Sequence, residues 1–265
     1  MKKLVPITLL FFINQVCAQY HTTVRKVYST NVKDSFEIYI SEPEERLAGN
    51  YDEVIYYLDA NLKSGKLLRQ LVEDDKVKFR KKFLYVGIGH IGNFHELRRR
   101  DFILPFIQNG DTIPRSAEYG QTEKFYQFLQ SELIPSIDAN YPNEARRSIL
   151  GHSLGGLFAV YCLFRNEGLF DKYFALSPAL WIDHFRIFQF DRIKDRPVKG
   201  SYLFLAAGSR ENFNNILNGF HRMEEYVAEK KYSGFNFDRH IYYGTHNSYL
   251  KTDISRILYE KVLRQ

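Results

Sequence analysis

A chain of 265 residues, 45% of them hydrophobic, is long enough to form one large domain around a substantial core. Its formal charge of +6 is scattered and forms no stripe of basic and aromatic residues, which excludes nucleic-acid binding. The 22 Phe and 19 Tyr are a surplus that either fills a core or lines a cleft for rings and sugars.

The first residues, MKKLVPITLLFFINQVCAQY, carry two lysines, an apolar run and then Val16-Cys17-Ala18. That is the three-part pattern of a secretory signal peptide with a cut after Ala18. Residues 1–18 are therefore expected to be removed, leaving 19–265 as a single domain exported to the periplasm or the medium. The apolar run is short and interrupted by Pro6 and Asn14, so stable membrane insertion is not expected. Cys17 offers a lipoprotein anchor as the rival, with Asn14-Gln15-Val16 a poor approach to a lipidated cysteine. Cleavage leaves Cys162 as the one thiol, set among Val160, Leu163 and Phe164, where it reads as buried; no intramolecular disulfide is possible.

The mature chain opens with TTVRKVYST and SFEIYISEP, two strand-like runs around the turn-prone Asn31 to Asp34, which predict a hairpin at a sheet edge. DEVIYYLDAN is apolar on both faces, as a buried parallel strand would be. NLKSGKLLRQLVEDD places Leu67, Leu68, Leu71 and Val72 at helical spacing. KKFLYVGIG predicts a second buried strand. TEKFYQFLQSELIPSIDANY predicts a helix with Phe125, Phe128, Leu129, Leu133, Ile134 and Ile137 on one face, bent at Pro135. Strand RRSILG, helix SLGGLFAVYCLFRN and strands DKYFALSP and SYLFLAAG follow. Helix NFNNILNGFHRMEEYVAEKKY, strand FNFDRHIYYG and helix HNSYLKTDISRILYEKVL close the chain. This alternation predicts an α/β fold with a mainly parallel sheet of about eight strands, covered by helices on both faces. Ligands bind such sheets at the carboxyl ends of the strands, so a catalytic residue should lie just after a strand.

Ser153 satisfies that condition. In GHSLGG it sits between a strand and a helix, flanked by Gly151 and Gly155. A sharp strand-to-helix turn strains the serine backbone at a cost of about 1–3 kcal/mol and leaves no room for flanking side chains. It lifts the hydroxyl off the sheet and presents the Leu154 amide at a helix N-terminus, ready to donate to an oxyanion.

With LIPSIDANYP before it and LFDKYFALSPALW after it, GHSLGGLFAVY resembles the esterase-D-like group of α/β-hydrolases. That group includes enterobactin-type siderophore esterases, feruloyl and acetyl esterases, and mycolyltransferases. The resemblance runs from Phe36 to Ile257 and extends to YYLDAN, where Ala60 replaces a family glycine, and to RRRDFILP. It implies the α/β-hydrolase fold and a serine-dependent attack on carboxylic esters.

The base must reach Ser153 from a loop at the same sheet edge. His152 is adjacent but expected to point elsewhere; His240 lies in a strand, His221 in a helix and His21 before the first strand. His246 follows the last strand in Tyr243-Gly244-Thr245-His246, and it matches the family's histidine after a Gly-x-His turn. The acid should fall between Ser153 and His246. Glu211, after SYLFLAAG, holds that place, with Asp183 in SPALWIDH as the alternative; mycolyltransferase-like relatives use a glutamate here by resemblance. The family pattern gives the second oxyanion donor as the Asn61 amide, with Asp59 fixing that loop.

Arg98, Arg99 and Arg100 follow a strand and are either an ion-pair network with Asp101 or a border of the substrate cleft that favours an anionic group. Trp181 is a candidate cleft wall, and DHFRIFQFDRIKDRP an insertion that could cover it. The sequence thus predicts an exported serine esterase needing no cofactor and no metal. Its substrate would be a small-molecule or glycan-linked ester: a siderophore lactone, an acetyl or feruloyl polysaccharide, or a small acyl ester. An acyltransferase with the same triad and a catalytically silent binding relative are the competing readings.

Overall fold

The computed structural model describes residues 20–43, 50–73, 82–108, 111–113, 119–142, 146–193, 200–211, 215–250 and 254. The expected signal peptide, with Cys17, and most of the expected closing helix lie outside them. The predicted hairpin forms β1 (Tyr20–Ser29) and β2 (Asp34–Pro43), antiparallel with Val24 opposite Tyr39. Next come β3 (Glu53–Leu58), α1 (Lys63–Glu73), β4 (Phe83–His90), α2 (Phe94–Phe102) and a separate small hairpin of β5 (Phe106–Gln108) and β6 (Asp111–Ile113). After α3 (Thr122–Phe128) and α4 (Ile134–Asn140), the alternation resumes with β7 (Arg147–His152), α5 (Leu154–Arg165) and β8 (Lys172–Leu176). A short α6 (Ile182–Phe185) runs into the 3-10 turn Arg186–Phe190, followed by β9 (Ser201–Gly208), α7 (Ile216–Lys230) and β10 (Phe235–Tyr242).

Eight strands form one sheet in the order β1-β2-β4-β3-β7-β8-β9-β10. Only β2 runs against its neighbours β1 and β4; every pairing from β4 to β10 is parallel. The apolar runs are continuous because both faces are covered. Val54, Tyr56 and Leu58 of β3 enter one core cluster, with α3 and α5, while Ile55 and Tyr57 enter the other, with α1. The aromatic surplus goes mainly into these clusters: Phe36 stacks on Phe128 at 4.7 Å and Phe125 meets Phe158 edge-on at 5.0 Å.

The helix expected over TEKFYQFLQSELIPSIDANY is interrupted by one π-helical turn, Leu129–Leu133, immediately before Ile134-Pro135. Pro135 has no N–H and crowds the preceding turn, so the widened turn absorbs the misfit as a bulge. Sheet order also locates the site. The chain leaves β3 for β4 on one side and returns from beyond β4 to β7 on the other, so the order reverses between β3 and β7. A crevice opens at the carboxyl ends of strands where the order reverses in this way.

Candidate active site

Ser153 stands at that crevice with φ 60° and ψ −115°, a conformation L-residues avoid. Three backbone hydrogen bonds hold it there. Its own N–H donates to the Leu176 carbonyl at 2.9 Å, while its carbonyl accepts from the N–H groups of Leu157 and Ala179. The flanking glycines serve different needs. A Cβ on Gly151 would lie 2.1 Å from the Gly155 carbonyl oxygen, whereas one on Gly155 would meet Asp59 and Leu58 at 3.3–3.4 Å. Gly151 is required by the turn itself, while Gly155 makes room for the close approach of the loop after β3.

The other candidates converge from β9 and β10. A Cβ on Gly208 would collide with the Gly244 carbonyl oxygen at 2.6 Å, so these two loops touch at bare backbone, tied by Arg210 N–H donating to the Gly244 carbonyl at 2.9 Å. This contact sets Nδ1 of His246 2.7 Å from Oε1 of Glu211. Glu211 is 0% exposed, and its carboxylate also accepts from the Gly208 N–H at 2.8 Å and from the Ser177 hydroxyl at 2.7 Å. Asp183, the alternative acid, instead faces Arg186 at 4.0 Å and lines a cleft.

His152 departs from the expectation that it turns away. Its ring packs 4.4 Å from that of His246, and its Nε2–H donates to the His246 carbonyl at 2.9 Å. Burial, with the neighbouring His246 adding to it, lowers its pKa from 6.5 to about 3, so it stays neutral. Neutral and bonded to the His246 carbonyl, it braces the loop that carries His246.

The N–H groups of Leu154 and Asn61 form no hydrogen bond among the described residues, which leaves both available to an oxyanion. The Asn61 side chain is anchored through Nδ2 to the His90 carbonyl at 2.7 Å. Arg98 grips Asp59 with two bonds of 2.7 and 2.9 Å, fixing the same loop.

Two clefts meet at Ser153 and His246. One, of about 470 Å³, is walled by Ile103, Tyr119, Trp181 and Ile216, with Arg99 at its edge donating to the Tyr119 hydroxyl at 3.1 Å. The other, of about 480 Å³, has Asp59, Lys63, His95 and Arg98 on its walls. Of the three arginines, Arg99 lines the first cleft and Arg98 the second. Arg100 is bound to Asp34 and to the buried Asp101, away from both. Trp181 is 40% exposed at its cleft, but beyond Asp183 the described part of the insertion turns inward, burying Ile187 and Phe190.

Sequence reasoning did not find Tyr119, Ser177 or Tyr249, whose hydroxyls stand beside Arg99 or behind Glu211. Only the position of Ser177 directly after β8 could have marked it. Helix α2 was also unmarked, although Asn93 with Glu96 three residues on is a helix-start signature.

Comparison with known proteins decides the family. The family model "Putative esterase" matches residues 29–250. The ferri-bacillibactin esterase BesA of Bacillus subtilis is 31% identical over 210 residues, 72% of this chain and 71% of that protein. The chain belongs to the esterase family. Its fold is that of the α/β-hydrolases. The BES protein from Bacillus cereus superimposes on the esterase with a TM-score of 0.74 at 24% identity, covering 97% of this chain and 96% of that one. An IroE-like serine hydrolase from Shewanella oneidensis does so at 0.73 and 22% identity, over 91% and 80%. Among the esterase's described residues, no helix is long and apolar enough to cross a membrane.

Proposed function

We propose that this esterase is an exported hydrolase of siderophore-type esters that works through Ser153, His246 and Glu211. The observation that carries the reading is the 2.7 Å bond from His246 to the buried Glu211, with Ser153 and His246 both facing the same two clefts. Glu211 fixes the Nδ1–H tautomer and leaves Nε2 of His246 to take the serine proton.

Ser153 Oγ bonds to the ester carbonyl carbon as its proton passes to His246. The amides of Leu154 and Asn61 receive the oxyanion. When the tetrahedral adduct collapses, the ester C–O bond breaks and His246 returns its proton to the departing alcohol. Water then attacks the acyl-enzyme, giving a proton to His246 as it bonds to the carbonyl carbon. Collapse releases the acid, and the proton returns to Ser153. The substrate class is favoured by the relative named as a ferri-bacillibactin esterase. Paired clefts also suit an ester with bulk on both sides of the scissile bond. Export rests on the pattern of residues 1–18 and predicts a mature N-terminus at Gln19 without lipid.

The test is a hydrolysis screen of a siderophore lactone, feruloyl and acetyl polysaccharides, and short p-nitrophenyl esters, together with labelling by a fluorophosphonate. Ser153→Ala should abolish both labelling and turnover. Glu211→Gln should lower kcat by about two to four powers of ten, the range for triad acids, while Asp183→Asn stays mild. Turnover by a folded Ser153→Ala would remove the mechanism. The opposite ranking of Glu211 and Asp183 would move the acid, and preference for polysaccharide esters would change the substrate class.

A further inference from the structure

Glu211 is buried with more hydrogen bonding than a group that only orients a histidine needs. Besides the Nδ1–H of His246 and the backbone N–H of Gly208, it faces the Ser177 hydroxyl at 2.7 Å from one carboxylate oxygen and 3.0 Å from the other. An ionised carboxylate only accepts, so Ser177 gives its single proton to Glu211. Ser177 Oγ is also within hydrogen-bond reach of the Tyr249 hydroxyl, and with its own proton already committed it must accept there. The direction of donation is thereby fixed, from Tyr249 to Ser177 to Glu211.

Both hydroxyls are buried, and each has a rigid setting. Ser177 sits at φ 41° after β8 with its N–H bonded to Ala206, and the Tyr249 ring lies flat against Tyr242 at 5.9 Å. We propose that Tyr249 and Ser177 are positioning residues for the reaction, a two-hydroxyl relay that disperses the charge of Glu211 and so sets how strongly it holds protonated His246. The inference rests on the triad reading above.

A carboxylate that loses one of its hydrogen-bond donors becomes a stronger acceptor for its remaining partner. That partner is the imidazolium. Without the relay, His246 keeps its proton to higher pH and releases it to the leaving alcohol less readily. The other charged or titratable groups that face the pair are His152 from the end of β7, already neutral, Arg98 from α2, paired with Asp59, and, across the two clefts, Lys63, His95, Arg99, Tyr119 and Asp183. Arg210, on the turn after β9, spends its guanidinium on Tyr243.

The experiment is the pH profile of kcat/KM on a short p-nitrophenyl ester for the wild type, Ser177→Ala, Ser177→Gly and Tyr249→Phe. Ser177→Ala should raise the acid limb by about half a unit to one unit and lower kcat about 3- to 30-fold with KM little changed. Ser177→Gly, which also relieves the positive φ, should show the same limb whatever its melting temperature. Tyr249→Phe should move the limb in the same direction by less. Folded variants whose acid limbs coincide with wild type, with only thermal stability reduced, would overturn the relay. Ser153→Ala measured alongside keeps the two readings apart: if it is dead and the limbs are unmoved, only the relay falls.

Discussion

His152 stands one residue before Ser153, and a turn drawn from sequence alone sends its side chain away. In the folded chain it lies against His246 and is neutral by burial. This has a consequence for acid stability. A histidine whose proton affinity is lowered by folding contributes stability that is full above its ordinary value near 6.5 and is lost as pH falls toward about 3. Each pH unit within that window costs about 1.4 kcal/mol per such group. Thermal midpoints should therefore drop more steeply from pH 7 to pH 4.5 in the wild type than in His152→Gln, whose amide can still donate to the His246 carbonyl. Parallel slopes in the two proteins would show that His152 takes up its proton without unfolding. Ser153, His246 and Glu211 are candidates in the sequence because each follows a strand, with the family resemblance added for His246 and Glu211. Ser177 follows one too, but nothing in ALSP says that its hydroxyl points at an acid 34 residues away.

The strand-turn-helix around Ser153 is legible because glycine marks where backbone must approach backbone. The position that admits least change is Gly151, since its clash is with the carbonyl of Gly155, and a carbonyl locked in a helix start cannot step aside. Gly151→Ala should lower the melting temperature by many degrees or prevent folding. Gly155→Ala, which presses on Asp59 and the Leu58 side chain at 3.3–3.4 Å, should fold with a smaller loss. A melting curve for Gly151→Ala within two degrees of wild type would mean that the turn can relax and that the glycine is not sterically required. Helix α2 was hidden for the opposite reason: FHELRRRDF buries only Asp101 and Phe102, so it has no apolar stripe to read. Its arginines are legible as charge but not as partners. The pairing of Arg100 with its neighbour Asp101 is the part the sequence offered; that Arg98 holds Asp59, Arg99 a tyrosine and Arg100 also Asp34 depends on distant segments.

Sheet and helix alternation was readable along most of the described chain, apart from α2, the small β5–β6 hairpin and α6, while the strand order was not. The reversal between β3 and β7 arises from crossovers packing on opposite faces, and that reversal is what gathers the site at the carboxyl edge. The amino edge of the same sheet is built for a different purpose. There Glu53, at the start of β3, is buried, bonded to the Ser148 hydroxyl of β7 and paired with Lys172 of β8 at 2.8 Å, so one carboxylate ties three neighbouring strands. Removing one partner of a buried pair strands the other charge, at a cost of about 3–5 kcal/mol. In a protein this size that corresponds to a fall in melting temperature on the order of 10 °C. Glu53→Gln should show that fall, yet the folded fraction should hydrolyse a p-nitrophenyl ester with kcat/KM within about twofold of wild type, because the triad is carried at the other end of the strands. Thermal melts and active-site titration by fluorophosphonate, run on the same preparation, separate the two quantities. A variant that melts like wild type would show Glu53 to be dispensable for holding the strands together. One that loses activity per labelled serine would show that strain at the amino edge reaches Ser153 through β7.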